Sequence, residues 1–218
     1  MKKLKIIAAA LVVATVGTAS AVPLAHNVAT PLPGTSLAAQ PQLAGIVLED
    51  DVQAFSFAAY GGLVTGTVQS RVVRSSVDGT LDFYWRVVSD ADSSGAITAL
   101  RIGEFVTPTY DANWRTDGTG DTPALNAFLF PAPDNAVNFL FQAPGGSALD
   151  AGDGSYFLLL DTDATAYGRT AVYDLTTFEN PSISPLFATF APAVPEPATY
   201  GMLAAGLGVL ALLRRRRR

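Results

Sequence analysis

Carboxylates are the only reactive side chains this chain holds in quantity. Residues 22–194 carry eighteen Asp and Glu against six arginines, with no lysine, no cysteine and one histidine, His26. Their formal charge of −12 is far from the −5 of the whole chain, because the other basic residues sit at the two ends. A Ser-His-Asp or Cys-His nucleophile needs a base held rigidly against it. His26 stands in a Pro-rich stretch and is expected to be solvated there. Zinc and similar metals lose their imidazole and thiolate ligands for the same reason. No GxxxxGK loop occurs, and this stretch has no lysine to complete one. A surface so acidic repels nucleic acid and anionic membranes, so nucleic acid is not an expected partner.

Oxygen chemistry remains. Two acids converging in a cleft can hydrolyse a glycoside, which keeps a carboxylate-dependent glycan-active enzyme as the alternative to a protein without catalysis. Most acids here stand beside Gly, Ser or Asn, where Asp stabilises turns through its own side chain. Glu49-Asp50-Asp51 and Glu104 are exceptions, and the first reads as a charged turn between strands. Calcium takes six to eight oxygen ligands and suits Asp/Gly-rich loops. Its candidate ligands are Asp90 with Asp92, Asp117 with Asp121, Asp150 with Asp153, and Asp161 with Asp163. None of these spells an EF-hand loop or a calcium-binding nonapeptide repeat, and a solvated turn is the simpler account of each pair. Calcium is therefore the alternative to having no cofactor.

Aromatic faces can hold sugars. Trp114, with Tyr110 and Arg115 beside it, is the candidate ligand site, because these residues share a loop-like stretch with Asp111, Asn113 and Asp117. A tryptophan that plugs one end of the domain is the competing use of Trp114. Arg115 has an ion-pair partner available in Asp111 or Asp117. An ice-binding face wants rows of threonine, and Thr65-Gly66-Thr67 is an isolated instance.

Strands must position these groups. Leu81 to Val87 alternates at period two, which puts Leu81, Phe83, Trp85 and Val87 on one buried face. Val64 to Val73 precedes it, with Asp78-Gly79 between them as a two-residue hairpin signal. Val137, Phe139 and Phe141 alternate likewise, and Tyr156 to Leu160, apolar on both faces, reads as a central strand. Further strands are expected at 46–48, 52–59, 97–105, 125–130, 171–175 and 186–190. The fold class is thus all-β, a single antiparallel β-sandwich over residues 43–190, with a jelly roll as second choice. Residues 22–42, with four prolines, read as an extended leader outside the core.

Both ends of the chain carry addresses. Lys2, Lys3 and Lys5 precede an apolar run and then Ala19-Ser20-Ala21, a secretory signal peptide over residues 1–21 with small residues at Ala19 and Ala21 for cleavage. At the other end, residues 191–197 form a linker containing Pro195-Glu196-Pro197. Ala198 to Leu213 follows without a charge, long enough as a helix for roughly 24 Å of a membrane span. Arg214, Arg215, Arg216, Arg217 and Arg218 then hold that end on the cytoplasmic side.

This three-zone tail resembles the PEP-CTERM signal of exported proteins in Gram-negative bacteria that make exopolysaccharide. The resemblance implies an exosortase-type transpeptidase as partner and the inner membrane as the station of the precursor. The cell surface or extracellular matrix is the destination it implies, with exopolysaccharide as a neighbour. The family carries unrelated passenger domains, so the tail transfers a location and no activity. Leu81 to Val87, Trp114 to Gly118 and Gly154-Ser155-Tyr156 resemble segments of uncharacterised passenger domains that bear the same tail.

Overall fold

The computed structural model describes residues 22–105, 110–131, 135–142, 148–179 and 183–193. The signal peptide with Ala19 and Ala21, the Pro195-Glu196-Pro197 motif, the apolar span and the arginine tail lie outside the described residues. Among the described residues no helix is long and apolar enough to cross a membrane, and the only helical element is a 3-10 turn at Pro41–Leu43.

Among the described residues twelve strands form two antiparallel sheets. In chain order they are β1 (Val22–Pro23), β2 (Ala29–Pro31), β3 (Gly45–Ala59), β4 (Gly62–Ser75), β5 (Leu81–Ser89), β6 (Ile97–Gly103), β7 (Tyr110–Trp114), β8 (Asn126–Leu129), β9 (Val137–Leu140), β10 (Leu158–Thr162), β11 (Tyr167–Thr177) and β12 (Phe187–Pro192). The first sheet runs β1-β7-β10-β5-β4-β3 and the second β12-β11-β6-β9-β8-β2.

One apolar core joins the two sheets. Leu81, Phe83, Trp85 and Val87 are all buried on the inner face of β5, as their alternation demands. They share a cluster with Leu158 and Leu160 of β10 and with Leu100, Ile102, Val137 and Phe139 of the second sheet. The Phe105 ring meets Phe83 and Trp85 edge-on, at 5.2 and 5.9 Å between centroids. A polar chain also crosses the core: the Trp85 indole N–H donates to Thr189 Oγ1 at 2.8 Å, and that hydroxyl lies 3.1 Å from Ser70 Oγ.

The Pro-rich stretch is part of the fold, which corrects the reading of residues 22–42 as a leader outside the core. Val22 pairs with Ala112 at one edge of the first sheet, and Ala29 pairs with Phe128 at an edge of the second. Between these strands and β3, residues 32–44 form a strap. Leu43 is buried against Val73, Tyr84 and Leu159 on the outer face of the first sheet, with Leu37 and Phe157 packed beside them. This explains why β10 is apolar on both faces: Leu158 and Leu160 face the core, while Leu159 faces the strap. The strap comes close enough to Trp114 that a Cβ on Gly34, whose φ is +77°, would lie 2.6 Å from the ring. Only glycine fits that backbone and that gap.

Three further expectations change. Glu49-Asp50-Asp51 is no turn; it continues β3 through a bulge between Val47 and Glu49. β3 is an edge strand, and charged side chains are what protect such an edge. The β4–β5 hairpin forms as expected, but four residues, 76–79, turn the chain: the Ser75 N–H donates to Thr80 O, and the Gly79 N–H to Ser75 O. Tyr110 to Trp114, read as loop-like, is a strand whose polar residues find partners on the outer face.

Candidate functional site

The outer face of the first sheet gathers most of the chemistry. Strand register sets its rows. Asp82 of β5 stands opposite Asp161 of β10, and Asp161 stands opposite Asp111 of β7. The next row holds Arg71, Tyr84, Leu159 and Asn113. One step further along, Arg86, Phe157 and Arg115 follow on the same face; the Arg115 N–H donates to Phe157 O at 2.8 Å. The sheet thus shows acid at one end and guanidinium at the other.

The acidic row is shielded. Asp82 is 1 % exposed, and neither of its carboxyl oxygens has a donor partner when ionised. Burial, then the Asp161 charge beside it, pushes its pKa up to about 9. A proton held there can be donated to the Asp161 carboxylate, so one proton serves the pair. Burial also raises Asp161, although its bonds with Asp82 and Gln42 oppose that. Asp111 is raised by burial and by Asp161.

Beside the strap the same face opens into a cleft of about 430 Å³, lined by Arg71, Tyr84, Arg115, Asp117, Thr119 and Phe157 among others. The Arg71 guanidinium lies 4.9 Å from the centre of the Phe157 ring and bonds Asp50 through Nη2 at 2.6 Å. Arg115 Nε donates to Asp117 Oδ1 at 2.6 Å. The other Asp117 oxygen accepts the Leu37 N–H of the strap at 2.8 Å. Burial tends to raise Asp117, but these bonds and the Arg115 charge hold its carboxyl below the usual range. Tyr84, buried beneath the strap, donates to Leu43 O at 3.2 Å.

The residues expected to hold a ligand divide. Arg115 lines the cleft. Trp114 is wedged: its indole N–H donates to Leu32 O at 3.2 Å, and the Tyr156 ring lies 4.9 Å away. The backbone of Tyr110 pairs with Thr162, placing it at the far end of β7.

The candidate calcium ligands are scattered or occupied. Asp90, Asp121, Asp150 and Asp153 do gather where three loops meet, tied by Gly152 N–H to Asp90 O and Asp121 N–H to Gly154 O. Yet Asp121 Oδ1 accepts the Gly154 N–H at 3.0 Å, and Asp153 Oδ2 accepts the Asp150 N–H at 3.1 Å. Asp92 and Asp163 are exposed, and Asp161 faces Asp82 rather than Asp163. Among the described residues no group of three or more acids or histidines is placed to hold a metal ion. His26 is exposed and bridges Leu129 through its backbone.

A second groove, on the outer face of the other sheet, brings Glu104 and Asp174 together beside Phe130. Burial raises the Asp174 carboxyl despite Arg101, whose Nε and Nη2 both donate to its Oδ2, at 2.9 and 2.5 Å. Sequence reasoning missed both Asp82 and Asp174. Each points outward by alternation, and no local signal shows that an outward residue is covered.

Residues 193–218 match the PEP-CTERM protein-sorting motif. No curated protein and no solved structure matches the chain. The tail marks an exported protein, held in the membrane before an exosortase-type enzyme processes it. What it delivers is a β-rich domain.

Proposed function

We propose that this is a non-catalytic protein of the cell surface or exopolysaccharide matrix, whose β-sandwich contacts polysaccharide there. The sorting motif at 193–218 is the observation that carries the reading, because it marks an exported protein processed by an exosortase-type enzyme, and a surface or matrix destination is the natural use of such a tag. The mixed aromatic and polar cleft on the first sheet supports it, since sugars bind aromatic faces flanked by hydrogen-bonding groups.

Fractionating the native host and weighing the intact protein tests the location. A surface or medium form lacking the leader and everything from near Ala198 is expected. Replacing Pro195, Glu196 and Pro197 by alanine should leave the full-length chain in the inner membrane. Wild-type protein confined there with an uncut tail would sink the proposal, as would failure of the released domain to bind host polysaccharide.

A carboxylate-dependent glycan-active enzyme is the second reading, and the groove holding Glu104 and Asp174 is the place for it. Arg101 ties Asp174 down, which favours a structural role for that acid. Release of reducing ends from host polysaccharide, lost in Glu104→Gln, would decide for the enzyme.

A further inference from the structure

We propose that the cleft between Arg71 and Arg115 is a subsite for a carboxylate-bearing sugar, a uronate unit of an acidic polysaccharide. This rests on the polysaccharide-contacting role proposed above and names the kind of chain it would contact.

The argument starts from charge. Two of the six arginines in residues 22–194, Arg71 and Arg115, line this one cleft, and Arg86 shares the face without lining it, although that stretch carries a formal charge of −12. Arg71 comes from β4, Arg86 from β5 and Arg115 from just past β7. Two of them are braced. Asp50 Oδ2 accepts Nε and Nη2 of Arg71 at 3.2 and 2.6 Å, and Asp117 Oδ1 accepts Nε of Arg115. A guanidinium has five N–H donors, so each brace orients the fork and leaves donors over. Arg86 has no carboxylate partner among the described residues; its Nε donates to Ser155 O at 3.1 Å. Asp50 and Asp117 each occupy only part of a guanidinium, so donors of Arg71 and Arg115 remain for an anion in the cleft.

The shape suits a sugar carboxylate. Phe157 supplies an apolar surface among the guanidinium groups, with Thr119 adding a hydroxyl at the rim. The strap fixes one wall through the Leu37–Asp117 bond and the packing of Leu37 against this cluster. A planar carboxylate takes two parallel N–H donors from a guanidinium, and a sugar ring can rest on the aromatic face. A neutral sugar gains only the second contact. The acidic surroundings repel a polyanion elsewhere on the body and confine it to this patch.

The protein exported by its host is the material for the test, titrated with oligogalacturonate and with a neutral cello-oligosaccharide of equal length. Binding of the acidic chain alone is expected, weakening as salt rises. Arg71→Gln, with an unchanged melting temperature, should weaken binding about tenfold. Arg115→Gln should do at least as much. Equal binding of both oligosaccharides, or full affinity in a folded Arg71→Gln/Arg115→Gln protein, overturns the uronate subsite. If host exopolysaccharide is still bound in that case, the matrix role stands without it. If wild-type protein binds none of the three, the matrix role and the subsite both fail.

Discussion

Asp82→Asn stabilises the protein at neutral pH, and the gain grows with pH. The buried Asp82 carboxyl keeps its proton up to about pH 9, whereas the same side chain in the unfolded chain releases it near pH 4. Between those values the unfolded state binds fewer protons, so folding stability falls as pH rises. The contribution is fully present below about pH 4 and is lost progressively until about pH 9. At pH 7 the accumulated cost is on the order of 4 kcal/mol, which for a domain this size is roughly 10 °C of melting temperature. Asparagine avoids that cost and can still donate to Asp161. Thermal melts of both proteins from pH 4 to 9 check this. They should coincide at the acidic end and diverge above it, and parallel curves would remove the buried shared proton.

Trp85→Ala is the largest expected loss. The side chain is buried at the centre of the core and touches both sheets through Phe83, Phe105 and the Thr189 hydroxyl. Emptying that volume costs about 4 kcal/mol, and the loss of the indole donor to Thr189 Oγ1 adds to it. Trp85→Phe keeps one six-membered ring but removes the pyrrole ring with its N–H, so it combines a smaller cavity with the lost hydrogen bond; a loss of about 2 kcal/mol is expected. Urea unfolding of the three proteins measures both steps. A Trp85→Ala protein within about 1 kcal/mol of wild type would mean the sheets do not depend on this contact.

The strands with clean alternation were legible. Leu81 to Val87 and Val137 to Phe141 announced their buried faces because one side of each meets the core. Tyr110 to Trp114 did not, since its outward residues, Asp111 and Asn113, look like loop chemistry. Both are used in the fold: Asn113 Oδ1 accepts the Gly34 N–H at 2.8 Å, and Asp111 stands in the carboxyl row. The strap was illegible for a related reason. Its prolines and small residues have the composition of a linker, and only edges supplied by β7 and β8, far along the chain, make it structure.

The site followed the same division. Arg115 was found because it sits beside Trp114 in a polar run, but its cleft partners Arg71, Tyr84 and Phe157 lie on other strands. Asp82 reads as an ordinary solvent-facing residue of an alternating strand. Its burial shows only in the fold, where Leu43 and Gln42 of the strap pack against its neighbours Tyr84 and Asp161.

The strap also bears on when this protein can fold. Together with β1 and β2 it joins residues 22–34 to residues 112–128, so this segment cannot settle until the middle of the chain has followed. Non-local pairings of this kind make folding slow, because a long loop must close before any contact repays it. For a chain that must thread through a membrane before it works, slowness is an advantage. Residues 22–34 lack their partners until residues 112–128 are also present, which suits a chain that is exported.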